Sequence, residues 1–122
     1  MTLAGQERLM CFSTRARYAL EDRFGGLKEM AEAFSTENVR AKSDAILDAA
    51  VILLDAGARH AKMSGLETAG ALTKEELLDL TSTEELEILL VGIYDAITAG
   101  AWRTVGAEPP KNGDATPDKP AM

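Results

Sequence analysis

The spacing of apolar residues along the chain predicts a mainly α-helical protein, a compact bundle of about five helices. In the first helix the apolar residues recur at intervals of four positions, at Ala16, Leu20 and Phe24. Either Ser13 or Thr14 is expected to cap its start. The Gly25-Gly26 pair ends it, because glycine readily adopts the left-handed conformation that follows many helices. A second, short helix then begins at Leu27, with an apolar face formed by Leu27, Met30, Ala31 and Phe34.

The third helix is predicted to be the central one, because residues 45–54 are apolar on most sides. We expect Ser35 or Thr36 to cap it and the regular helix to run to Ala56. Gly57 permits an end or a bend there, and one or two further turns over residues 58–63 are an open alternative. Its predicted buried stripe consists of Val39, Ile46, Ala50, Leu53 and Leu54.

Two capping boxes predict where the last two helices begin. Thr73 is followed by Glu76, and Ser82 by Glu85. In this motif the hydroxyl accepts a backbone N–H of the first turn while the glutamate accepts the N–H of the cap residue. We expect the final helix to run up to Gly100. Its predicted buried stripe consists of Leu86, Leu89, Leu90, Ile93 and Ile97.

The two ends of the chain differ from this helical body. Leu3-Ala4 and residues 9–12 flank a break at Gly5-Gln6, which predicts a minor β element, either a hairpin or one bent strand. Residues 106–122 contain all four prolines and no large apolar residue except Met122. We therefore divide the chain into a helical domain over residues 1–106 and a disordered polar tail over residues 107–122.

The net charge of −7 is concentrated in residues 66–95, which carry eight acidic residues against the single base Lys74. This segment repels a phosphate backbone and no basic stripe compensates elsewhere, so we expect no nucleic-acid partner. A solvated helical surface is its simpler interpretation, and a steering surface for a basic partner is the alternative. With neither a signal-peptide pattern nor an apolar stretch near 18 residues, we expect no membrane partner.

The residue types that usually carry chemistry are few and scattered. His60 has no cysteine or acidic partner at ligand spacing, so we expect an ordinary surface residue and no metal site. Cys11, the single cysteine, lies in an apolar context and is expected to be a small buried side chain in a reducing cytoplasm. A cluster of acids lies at Glu84, Glu85 and Glu87. Adjacent positions point apart on a helix, so we expect no catalytic residue, no cofactor and no enzymatic activity.

Trp102 is the one residue that we predict to bind a partner. It is the only tryptophan and lies just before the polar tail. Aromatic side chains of this kind are frequent interface hot spots. Its simpler interpretation is a lid that closes one end of the core.

Residues 16–30, ARYALEDRFGGLKEM, resemble the recurring ALxxLExxFGGLxEx opening of tail assembly chaperones from long-tailed phages and prophages. The specific similarity lies in residues 14–34. In that family a small strand-bearing N-terminus leads into a helical body and a polar C-terminal tail, which matches the layout predicted here.

The resemblance implies a non-enzymatic chaperone of the host bacterial cytoplasm that is absent from the mature virion. Members of the family coat the long, aggregation-prone tape measure protein until the major tail tube protein replaces them. The implied partners are therefore the tape measure protein, the tail tube protein and further copies of the chain on the client. The alternative is a head–tail connector or tail terminator component retained in the particle, and a third is a regulatory adaptor unrelated to phage.

Overall fold

The computed structural model describes residues 2–3, 6–66 and 69–104, and their side chains except those of Thr2 and residues 100–104. The described residues form five helices preceded by a small β element, which confirms the predicted mainly α fold. The helices are α1 (Thr14–Phe24), α2 (Leu27–Phe34), α3 (Val39–Ser64), α4 (Lys74–Leu80) and α5 (Thr83–Thr104). The predicted tail at residues 107–122 lies outside the described residues.

The turn between α1 and α2 follows the local sequence signals. Ser13, the first of the two candidate caps, accepts the backbone N–H of Ala16 at 3.2 Å. Gly25 ends α1 in the left-handed conformation with φ of 97° and donates its N–H to the carbonyl of Glu21 at 2.7 Å. The apolar faces of the two helices are buried at Ala16, Leu20, Met30 and Phe34.

Helix α3 differs from its prediction at both ends. Asn38 caps it, with its side-chain oxygen accepting the N–H of Ala41 at 2.9 Å, so the expected caps Ser35 and Thr36 are wrong. Val39, predicted to be buried, is the first residue of the helix and is 77% exposed, because the buried residues of α3 begin only at Ala45. The other end continues unbroken through Gly57 to Ser64, which confirms the open alternative of further turns.

The N-terminal β element is a hairpin with shorter arms than predicted. Strand β1 (Thr2–Leu3) pairs antiparallel with strand β2 (Gln6–Glu7). Residues 9–12 were expected to form the second arm, and that placement is wrong. They run as an irregular segment, in which the N–H of Cys11 donates to the carbonyl of Leu53 at 3.1 Å. The segment is therefore held by the surface of α3 instead of by a strand.

Gly57 allows this crossing. A β-carbon at position 57 would lie 1.8 Å from the carbonyl oxygen of Leu9 and 2.5 Å from its carbonyl carbon. Atoms at those separations overlap, so only glycine fits while the N-terminal segment passes here. Gly57 thus lets the N-terminal backbone pass close to a continuous helix. It does not end the helix, as its residue type suggested.

The predicted capping box of Thr73 and Glu76 lies at the start of α4, and at the start of α5 the Glu85 side chain makes the predicted contact back to Ser82. Thr73 accepts the N–H of Glu76 at 3.1 Å, and the Glu76 carboxylate accepts the N–H of Thr73 at 2.8 Å. The Glu85 carboxylate accepts the N–H of Ser82 at 2.9 Å and also its hydroxyl. The predicted end of α5 at Gly100 is wrong, because the helix continues to Thr104. Glycine permits a helix end but does not impose one.

Helix α3 lies at the centre of the core, as predicted. It contacts α1, α2, α4 and α5, and its contact with α5 is the most extensive. On α5, Leu89 and Ile93 are fully buried, while Leu86, Leu90 and Ile97 are partly buried against the same core. The other large side chains that are almost completely buried are Leu3, Leu20, Met30, Leu53, Leu54 and Leu77.

We expect Ser82→Ala to lower the free energy of unfolding by about 0.5–2 kcal/mol, the usual cost of losing such a cap residue. Urea unfolding measures the change. Thr83→Ala, one residue later, is the matched control because it removes an exposed hydroxyl that takes no part in the contacts between Ser82 and Glu85. If both variants unfold at the urea midpoint of the unmodified protein, Ser82 does not stabilise the start of α5.

The same contact gives a pH dependence. The hydroxyl of Ser82, and after it the backbone N–H groups of Ser82 and Glu85, lower the pKa of the Glu85 carboxyl. Because folding lowers this pKa, the contribution of Glu85 to stability is present above the ordinary glutamate pKa and is lost as the pH falls through the lowered value. In Ser82→Ala the pKa of Glu85, followed by NMR titration, should therefore rise.

Candidate partner-binding surface

Within the part of the chain that the structure describes, the candidate ligand residues do not group into a metal site. His60 is half-buried in a groove of about 510 Å³ between the N-terminal segment and α5, where Cys11 and Asp95 also line the wall. Cys11 is buried, as predicted. Across residues 2–3, 6–66 and 69–104, no three His, Cys, Asp or Glu side chains are grouped so that they could hold a metal ion.

The acids of α5 serve two different purposes. Glu85 bonds to Ser82, which confirms its predicted role in capping. Glu84 and Glu87 are exposed on the helix surface. The three carboxylates are thus divided between a helix cap and the solvent, and they do not form an acid–base pair.

A second apolar row lies on the side of α5 that faces solvent. Ile88 is 44% exposed, Val91 59% and Tyr94 43%. Residues three apart on a helix are neighbours on its surface, so the three side chains form one continuous row. We call these three residues the outer face of α5. It lies apart from the fully buried pair Leu89 and Ile93.

Tyr94 is held in place by the core while part of its ring stays exposed. Its ring centroid lies 6.0 Å from that of Phe34, with the two planes at 88°. Phe34 in turn meets the ring of Phe24 at 6.1 Å and 76°. Such edge-to-face contacts are favourable for aromatic pairs. The outer face therefore contains an aromatic side chain that is fixed from one side, a common feature of interface hot spots.

Acidic residues border the outer face. Glu84, Ile88, Val91 and Asp95 follow one another at intervals of four, three and four residues, and Glu87 lies one turn before Val91. All three acids are exposed. No lysine or arginine occurs between Lys74 and Arg103 in the sequence, so α5 itself contributes only negative charge to this rim. Asp95 shares the groove described above with Arg8 and His60, whereas neither Glu84 nor Glu87 lines that groove.

Lys74 does not neutralise this rim. Its Nζ lies 3.1 Å from Asp48 and 3.7 Å from Asp44, both on α3. Asp48 also accepts from the guanidinium of Arg23 at 2.7 Å. The only base of residues 66–95 is therefore engaged with the body of the protein.

A groove of about 580 Å³ between α1, α3 and the segment that precedes α4 is another surface with an apolar floor. Small and medium-sized side chains, among them Ala16, Val51 and Ile52, line it, and Arg15 and Arg59 lie at its edge. Arg59 pairs with Asp55 at 2.9 Å, so part of this basic charge is compensated within the protein. The charge around this groove is consequently less one-sided than the charge around the outer face of α5.

The backbone of Trp102 lies in α5, eleven residues after Val91. Eleven residues make about three helical turns, so position 102 falls on the same side of the helix as Val91. The Trp102 side chain lies outside the described residues, and its role as a partner anchor stays a prediction.

Sequence reasoning missed the outer face, although a signal was available. The stripe of α5 accounts for Leu86, Leu89, Leu90, Ile93 and Ile97, and Ile88, Val91 and Tyr94 remain outside it. A helix that is apolar on nearly all sides is typically buried on more than one side. This second row was therefore recognisable from periodicity alone, but not its exposure.

Among the helices in the described part of the chain, none is long and apolar enough to cross a membrane. Comparisons with protein-family models, curated proteins and solved structures found no match to this chain.

Proposed function

We propose that this chain is a non-enzymatic tail assembly chaperone of a long-tailed phage or prophage, which binds the tape measure protein and keeps it soluble. The observation that carries the proposal is the outer face of α5, an exposed apolar row with an acidic rim on a small helical body. A chaperone of this kind needs an ordered surface that competes with self-aggregation of an apolar client, and it needs no reactive group.

The resemblance of residues 16–30 to tail assembly chaperones is the second support. These residues build the α1–α2 turn: Gly25 makes the left-handed link, Leu20 and Met30 are buried, and Phe24 contacts Phe34. The similarity therefore lies in residues that set the fold. The outer face of α5 lies outside that segment, so the two supports are independent of each other.

The proposed mode of action follows from the shape of the client. A long helical tape measure protein offers many similar apolar stripes, so several copies of this chain bind along it. Each contact is weak enough to be displaced later by the major tail tube protein, while neighbouring copies that associate on the client add avidity. In this scheme the chain acts in the host bacterial cytoplasm and is absent from the mature virion.

Co-expression with the tape measure protein of the same phage or prophage tests the proposal. We expect the tape measure protein to stay soluble and to co-purify with several copies of this chain, counted by native mass spectrometry. The tape measure protein expressed alone, or with an unrelated acidic protein of similar size, should be insoluble. An insoluble tape measure protein in the presence of this chain contradicts the chaperone function.

Mass spectrometry of purified particles provides a second, independent readout. A tail assembly chaperone is missing from the finished particle. Stoichiometric amounts of this chain in the particle would instead favour a head–tail connector or tail terminator.

A further inference from the structure

We infer that the outer face of α5 binds a basic amphipathic helix. The apolar stripe of that helix packs on Ile88, Val91 and Tyr94, and its lysine or arginine side chains pair with Glu84, Glu87 and Asp95. The identification of this helix as a segment of the tape measure protein rests on the proposed function, whereas the binding chemistry rests on the surface alone.

Helix α5 is apolar around most of its circumference. Between Leu86 and Ile97 only Glu87 and Asp95 are charged. A helix apolar on most of its circumference is normally buried on most of it, yet α5 packs mainly on α3. The row of three half-exposed side chains contains the large apolar residues of α5 that the described fold leaves uncovered.

The charge of the rim selects the occupant. A second copy that used the same face would bring its own Glu84, Glu87 and Asp95 opposite these three acids, and like charges across an interface are unfavourable. The chain's own residues 107–122 contain no large apolar residue except Met122, so they lack a stripe to cover the row. A helix with an apolar stripe and basic flanks complements both the apolar row and its rim.

The dimensions of the face set the length of the bound segment. At about 1.5 Å per residue, Ile88 and Tyr94 lie ~9 Å apart along the axis and Glu84 and Asp95 ~16 Å apart. A partner helix therefore contacts the face over about three turns, with apolar residues at i, i+3 or i+4, and i+7. Its basic residues meet exposed carboxylates, which mainly orient the partner and speed its association.

Two synthetic helical peptides of about 20 residues (five to six turns) test the binding chemistry. Both have the same leucine and alanine stripe, but one has lysine and the other glutamate on its polar face. We expect fluorescence anisotropy to detect binding of the lysine peptide only. Binding of the glutamate peptide with similar affinity would overturn the role of the acidic rim.

Matched double variants locate the binding to α5. In the double variant Ile88→Gln with Val91→Gln we expect the affinity for the lysine peptide to fall by about tenfold or more. Replacing residues at the centre of an interface commonly has an effect of this size. Val39→Gln with Met63→Gln is the control, because those side chains are 77% and 82% exposed on α3. Circular dichroism should show all variants folded. Equal affinities for the two double variants would overturn the inference.

Neutral variants of the rim isolate the charge contribution. In the double variant Glu87→Gln with Asp95→Asn, the affinity for the lysine peptide should fall a few-fold at low salt. The affinity should also depend less on the salt concentration than it does in the unmodified protein. Glu32→Gln with Glu37→Gln, which removes two exposed acids outside α5, is the control. An unchanged salt dependence in the α5 variant would overturn the pairing of the partner with this rim.

The co-expression experiment separates this inference from the proposed function. The Ile88→Gln with Val91→Gln variant should fail to keep the tape measure protein soluble, while the Val39→Gln with Met63→Gln control succeeds. If the unmodified chain and both variants all solubilise the tape measure protein, the assignment of binding to the outer face of α5 is wrong and the proposed function stands. If the lysine peptide binds through α5 but the unmodified chain does not solubilise the client, the function is wrong and the surface stands.

Discussion

Replacing Leu54 by alanine is expected to lower the free energy of unfolding by about 2–5 kcal/mol, the range measured when a buried leucine is truncated. Leu54 is 2% exposed and lies in α3, the helix that contacts every other helix in the described part of the chain. The lost methyl groups leave a cavity that neighbouring helices fill only in part. Such a change is a large share of the ~5–15 kcal/mol that stabilises a typical domain.

Two further leucines provide an internal scale for this measurement. Leu78 on α4 is 48% exposed, so its replacement by alanine should cost well under half as much. Leu90, predicted to lie in the core, is only partly buried against it, so Leu90→Ala should fall between the other two. Urea unfolding of the three variants gives the order. Equal losses for Leu54 and Leu78 would contradict the placement of α3 at the centre.

The elements that could be predicted from the sequence are those fixed by local chemistry. Two such signals are Gly25, which follows Phe24, and the pair of Thr73 and Glu76. Each of them acts within one helical turn. Such signals depend on hydrogen bonds between residues that are already close in sequence. The α1–α2 turn and the start of α4 were therefore predictable to within a residue.

The start of α3 required information that the local sequence does not contain. Residues 35–38 read Ser-Thr-Glu-Asn, and three of them are good helix caps. Ser35 ends α2 instead, with its N–H bonded to the carbonyl of Glu32 at 3.1 Å and its hydroxyl bonded to that of Ala31 at 3.0 Å. The choice of Asn38 thus depends on how long α2 remains helical.

The candidate surface was only half predictable for a similar reason. The acidic segment and its possible basic partner were visible in the charge pattern. Which apolar residues of α5 would be exposed depends on how many helices pack around it, and that is a property of the tertiary fold. Periodicity therefore identified the buried stripe, whereas the exposure of Val91 and Tyr94 emerged only from the structure.

Replacing Gly57 by alanine is expected to destabilise the protein by about 1–3 kcal/mol or more, the usual cost of overpacking a close contact. Inside an exposed helix the same change would normally stabilise by about 1 kcal/mol. Here the new β-carbon would lie 1.8 Å from the carbonyl oxygen of Leu9. Backbone atoms cannot rotate away as a side chain does, so the N-terminal segment must shift.

The shift has a specific signature. Moving residues 9–12 away from α3 lengthens the hydrogen bond from the Cys11 N–H to the Leu53 carbonyl, now 3.1 Å, so hydrogen exchange at the Cys11 amide should accelerate along with the loss of stability. Gly70→Ala is the matched control, because nothing lies within 4 Å of its β-carbon position and its φ is not left-handed. Its stability should stay the same or rise slightly, since alanine reduces the freedom of the unfolded chain. A Gly57→Ala protein as stable as the Gly70→Ala protein, with an unchanged Cys11 amide, would mean that the N-terminal segment does not cross α3 at this glycine.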